Sequence, residues 1–97
     1  MANMIKGIKH LNLPVSFIKE GKQFVAWTPA LDLSTAGRSI EEVKKNFAEA
    51  VGIFFEEIIA AGTLEDVLLD LGWKHQGQEF IPPVISQGVE SVKIHFA

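Results

Sequence analysis

Ser39-Ile-Glu-Glu42 opens the one long segment whose apolar residues recur at helical spacing. A serine oxygen there can accept from the backbone N–H three residues on while Glu42 reaches back, the pattern of a capping box. Behind it Ile40, Val43, Phe47, Ala50, Val51, Phe54 and Ile58 form a broad apolar stripe, and a stripe that wide needs a layer to cover. Glu41, Lys45 and Glu49 fall four apart on the opposite side, where each pair adds roughly 0.2–0.5 kcal/mol. Gly62 supplies the stop. With 97 residues there is room for one such helix, its covered layer and little else.

The covered layer comes from the residues before the helix. The first structured stretch runs from Lys9 to Glu20, where Leu11, Leu13, Val15 and Phe17 alternate with Asn12, Pro14, Ser16 and Ile18, the period of a strand with two unlike faces. Pro14 cannot donate to a ladder, which places this strand at an edge or a bulge. Glu20-Gly21-Lys22 reads as a turn into a second strand, Gln23-Phe-Val-Ala-Trp-Thr28, paired antiparallel with the first. Pro29-Ala-Leu-Asp breaks the chain before a short third strand over residues 33–37. A second helix begins near Thr63, its expected cap, with Glu65 and Asp66 at its positive end. Gly72 ends it.

The segment from Trp73 to Phe80 has the makings of a hairpin turning at Gly77, although Pro82-Pro83 interrupts any regular strand nearby. In Val89-Glu-Ser-Val-Lys-Ile-His-Phe96, Val92, Ile94 and Phe96 alternate with Ser91, Lys93 and His95, which predicts a terminal strand. The expected order is β-β-β-α, a short α and a final β. This is a two-layer α+β domain in which an antiparallel sheet of three to four strands is covered by one long helix. One domain is expected over 1–97, with its compact part at about 8–72, an arm and strand at 73–97, and no DNA-binding domain.

Charge and composition exclude several functions. Nine Lys plus Arg against twelve Asp plus Glu leave a net charge of −3, the wrong sign for a domain whose affinity comes from cations meeting phosphates. Cysteine is absent, so there is no thiolate nucleophile, disulfide framework or cysteine-based metal site. The first ten residues carry charges where a signal peptide needs an unbroken apolar run. Residues 51–62 are interrupted by Glu56 and Glu57 and are far too short for a membrane span. A cytoplasmic protein without direct nucleic-acid or membrane binding is expected.

Catalytic chemistry does not declare itself. His10, His75 and His95 lie on separate elements without metal-ligand spacing and read as surface or hydrogen-bonded histidines. Asp32, Glu41, Glu42, Asp66 and Asp70 are the acids a two-metal nuclease would have to converge. Glu42 and Asp66 already have roles at helix starts, and no strand carries a central acid. The five serines include no nucleophile elbow, and the glycines form no phosphate loop. The chain therefore reads as non-enzymatic, with no catalytic, cofactor or metal residues.

The large aromatics mark surfaces instead. Trp27 shares a face with Val25, which reads as core packing with a partner contact as its sharper alternative. Trp73 follows a helix stop, where packing of the arm competes with partner contact. Phe54 and Phe55 cannot both point at one sheet from one helix. Phe55, with Ile59 a turn later, is therefore assigned either to the second helix or to a second subunit.

Leu13-Pro-Val-Ser-Phe, Phe24-Val-Ala-Trp-Thr-Pro-Ala-Leu-Asp-Leu, Thr35-Ala-Gly-Arg-Ser-Ile-Glu-Glu-Val and Ala48-Glu-Ala-Val, taken together, resemble the HicB family of antitoxins. The likeness runs from about Leu13 through Ile59. It includes an aromatic-x-Pro-x-Leu turn, Trp27-Thr-Pro-Ala-Leu31, and a glycine before the helix, Gly37. The resemblance implies a partial ribonuclease H fold without the catalytic acids. It also implies a module that binds and occludes HicA, a small basic mRNA-cleaving toxin. An acidic chain suits a basic partner, since opposite fields speed and select encounter. The chain departs from many HicB proteins in having only a strand after Ile81-Pro-Pro-Val, so operator binding is not carried over. Trp27, Leu31 and Trp73 are the candidate partner contacts, Phe55 and Ile59 the candidate contacts of a homo-oligomer. A stand-alone structural or ligand-binding module is the alternative, and a metal-dependent nuclease a more remote one.

Overall fold

Residues 11–96 are described in the computed structural model. A three-stranded antiparallel sheet in the order β1-β2-β3 forms from β1 (Ser16–Glu20), β2 (Gln23–Thr28) and β3 (Leu33–Gly37). Glu20 faces Gln23 across a two-residue turn in which Gly21 has φ +59°. Glycine there spares the strain any other residue would meet in a tight hairpin. The β2–β3 connection needs a left-handed residue too, and Asp32 fills it at φ +49°, a conformation that aspartate tolerates through local hydrogen bonding. Leu11 and Leu13 pack against the core from an irregular segment ahead of β1. The strand thus begins after Pro14 rather than running through it. Lys9 and His10 lie outside the described residues.

The long helix α1 (Ile40–Ala60) starts where the capping motif predicts. Ser39 Oγ accepts from the Glu42 N–H at 3.0 Å. Glu42 Oε1 accepts from the N–H of Arg38, also at 3.0 Å, one residue earlier than a capping box would have it, and the Arg38 guanidinium lies 3.7 Å away. Of the apolar stripe, Val43 and Ile58 are buried and Phe47, Ala50, Val51 and Phe54 half-buried; Ile40 at the start is exposed. The helix lies on β3 and β2. Asn46 Nδ2 donates to the Ala36 carbonyl at 2.9 Å, fastening the two layers. Gly37 permits the approach: a Cβ there would sit 2.6 Å from Val43 N.

Both helix ends are closed by the same device. Gly62 (φ +72°) donates to the Ile59 carbonyl and Thr63 to the Ile58 carbonyl, the paired bonds of a Schellman motif. Thr63 thus closes α1 and is also the N-cap residue of α2 (Leu64–Asp70), its carbonyl accepting from the Val67 N–H at 2.9 Å. It makes no side-chain cap bond; its hydroxyl lies 3.5 Å from the Ile58 carbonyl. Gly72 (φ +93°) and Trp73 repeat the pattern on Leu69 and Leu68. The chain then forms a small hairpin of β4 (Lys74–Gln76) and β5 (Glu79–Ile81), turning at Gly77 as expected.

Two expectations are corrected. The packed body does not stop at residue 72, because Trp73 and Phe80 are both buried in the core. Residues 82–96 form no strand. The alternation in 89–96 gives that segment the capacity to pair, and a strand needs a partner ladder to exist. The two-layer α+β architecture stands, with a second, two-stranded sheet in place of a terminal strand. Among the described residues no helix is long and apolar enough to cross a membrane.

Two glycine substitutions separate close packing from helix propensity. Gly37→Ala is expected to lose about 1–3 kcal/mol, because backbone at Val43 must move. Gly52→Ala, in α1 with nothing within 4 Å of the added carbon, is expected to gain about 0.5–1 kcal/mol. Urea unfolding of the two variants against the parent chain measures both.

Candidate docking surface

Strand register divides the sheet residues between two unlike faces. Phe17, Phe24, Ala26, Thr28, Leu33, Thr35 and Gly37 are linked by direct cross-strand pairing and form the face under α1. Ser16, Ile18, Val25, Trp27, Ser34 and Ala36 lie on the other, which ends in the polar pair Glu20 and Gln23 beside the β1–β2 turn. Ala26 and Thr28 are fully buried. The Thr28 hydroxyl accepts from the Ala30 N–H at 3.3 Å, which satisfies it in that setting.

The reading of Trp27 as core is overturned: the small residues face the helix and the tryptophan faces out. Trp27 is 38% exposed, with Ile18 beside it and Val25 half-buried next in line. Serines at 16 and 34 flank the tryptophan directly across the ladder. The result is an indole on a shallow apolar strip with hydroxyls on either side. This composition suits protein contact, where Trp is enriched and isolated charge depleted.

Of the other two candidate partner contacts, Leu31 is buried instead, and for Trp73 the packing alternative holds. Each is only 2% exposed, so neither side chain is available to a partner. Trp73 Nε1 donates to the Ala30 carbonyl at 2.7 Å, and Leu31 packs in the same cluster with Ile58, Leu64, Leu68 and Phe80. A signal for Trp73 was present: an apolar residue two after the helix end, behind a glycine, folds back onto the last turn in a Schellman motif. Phe55 meets Trp73 edge-to-face at 6.3 Å and Phe54 at 5.7 Å. Its half-buried ring thus packs within the chain, while Ile59 is exposed.

The acids do not gather. Among the described residues no three of His, Asp or Glu stand close enough to hold a metal ion. Asp32 sits in the β2–β3 turn, Glu41 and Glu42 at the start of α1, and Asp66 and Asp70 on α2. His75 pairs with Glu65 at 3.0 Å and lies over the Phe80 ring at 4.1 Å, a surface contact between β4 and α2. His10 lies outside the described residues, and His95 is exposed on the arm. No family model, curated protein or solved structure matches this chain.

The two tryptophans should answer mutation very differently. Trp73→Ala is expected to cost about 3–5 kcal/mol, and Trp73→Phe about 1–3 kcal/mol through the orphaned Ala30 carbonyl. Trp27→Ala should cost less than about 1 kcal/mol, as befits a side chain outside the core. Chemical denaturation followed by circular dichroism ranks the three.

Proposed function

We propose that this chain is a protein-binding module that acts as a HicB-like antitoxin, covering the active site of a small basic mRNA-cleaving toxin of the HicA type. The observation that carries the reading is the uncovered sheet face with Trp27 at its middle. A domain that buries small residues and presents its indole has a surface suited to another protein. The sequence motif from Trp27 to Glu42 supports the family, and the net charge of −3 favours a basic partner. The action is steric: the bound face keeps substrate RNA away, and no group on this chain needs to react.

A solitary module without a toxin would carry the same fold. The two are separated by the neighbouring reading frame and by binding. The chain should form a complex with an adjacent-encoded small basic HicA-like protein and abolish its cleavage of RNA. Absence of a complex at micromolar concentration overturns the proposal. Within that complex, Trp27→Ala should weaken affinity by about 30-fold or more, the behaviour of a central aromatic anchor, while leaving the unfolding midpoint nearly in place. Isothermal titration reads the first and thermal unfolding the second.

A further inference from the structure

The C-terminal arm and the edge of the sheet are each incomplete. From Pro82 the arm passes the core, with Ile85 packed against it and Pro83 beside Gly72. Gln87 Nε2 then donates to Ser16 Oγ at 2.8 Å, at the first residue of β1. Beyond that contact the chain leaves the body. Val89, Val92, Ile94 and Phe96 are exposed by 68 to 96%. The radius of gyration is 16.2 Å, against about 12 Å for a compact chain of this length.

Residues 89–96 have strong strand character, with β-branched and aromatic side chains in alternation and no proline. Beside them, β1 is an edge strand whose outer side has no ladder partner among the described residues. Its Phe17 and Ile18 are each 44% exposed. An unpaired edge of this kind is a template for another strand.

We propose that residues 89–96 add as a fourth strand to the β1 edge of a second copy of this chain, each copy giving one arm and receiving one. Three observations select that occupant. Each chain carries one arm with strand character and, among the described residues, an open β1 edge next to the point where that arm leaves the body, so a two-fold pair matches arm to edge in both copies. The arm is held beside its own β1 by Gln87, yet two residues later Val89 is the most exposed of the large apolar residues. The chain turns away from its own edge instead of running along it. Finally, β1 contributes Lys19 and Glu20 and the arm Glu90 and Lys93, so neither segment brings a surplus of one sign to the pairing. Residues 88–96 span up to about 30 Å when extended, ample for crossing to a neighbouring copy. The proposal does not rest on the toxin-binding reading, and it moves the oligomer contact from Phe55 and Ile59 to the sheet edge.

The absence of native cysteine makes the test direct. Phe17→Cys and Ile18→Cys point to opposite faces of β1, so one of them should match the arm in either facing. Each is mixed with Ile94→Cys and oxidised. The expected results are a dimer by light scattering and a mixed disulfide joining one of the β1 positions to residue 94. Deletion of residues 88–97 should about halve the mass and leave a folded monomer, which lacks the arm's strand contribution to the circular dichroism and whose unfolding midpoint no longer rises with protein concentration. A monomeric parent chain at high concentration overturns the proposal, as does a dimer that survives the deletion. So does failure of both mixtures to cross-link, or a double Ile18→Cys/Ile94→Cys chain that closes on itself when dilute while the mixtures stay unlinked.

Discussion

The indole N–H of Trp73 donates to the carbonyl of Ala30 across 43 residues of sequence, and the structure is organised around that bond. Ala30 belongs to the turn between β2 and β3; Trp73 follows the last turn of α2. The bond and the burial around it join the far end of the sheet to the helical layer and the small hairpin. Burying an indole removes about 150–250 Å² from water, worth roughly 4–6 kcal/mol at 25 cal/mol per Å². A domain of this size has a net stability of about 5–15 kcal/mol. One side chain therefore accounts for a large share of what separates folded from unfolded chain, and the turn cannot drift while the carbonyl is held.

That anchoring decides which side of the sheet is bare. The packed helical residues lie on one side: α1 covers β3 and β2, and α2, Trp73 and Phe80 close the end by the β2–β3 turn. Ala26, fully buried, and Gly37 let the helix approach closely, which only small residues permit. Large apolar residues on the alternate positions of β2 must then point the other way. Trp27 and Val25 face outward as a consequence of tight packing beneath them, and the outward indole is what the proposed recognition surface rests on.

Local features of this chain were legible because each is fixed within a few residues. The hairpin turns at Gly21 and Gly77, the start at Ser39 and the stops at Gly62 and Gly72 all fall where their chemistry demands. The roles of the two tryptophans were not legible from alternation, for a physical reason. Period two says that Trp27 and Val25 share a face, but only the helix docking says which face is covered. Trp73 illustrates the converse: its fold-back was implied by the glycine stop ahead of it, a local rule, while its partner carbonyl lay too far away in sequence for any pattern to show. The terminal segment 89–96 has the right composition for a strand, and composition cannot supply the opposing ladder.

Edge, arm and bare face meet at one strand. Ile18 lies on β1 and shares the uncovered face with Val25 and Trp27, so whatever pairs with the β1 edge also borders the docking strip. With a three-stranded sheet that strip ends at Ile18, an edge position where a partner gains contact on one side only. Addition of an arm from a second copy turns β1 into an interior strand, moves Ile18 inward and widens the face to four strands. Each pair then displays two such faces. Self-association and partner binding would on this account be coupled through β1, with the arm enlarging the surface that Trp27 centres and the edge no longer open to indiscriminate strand pairing.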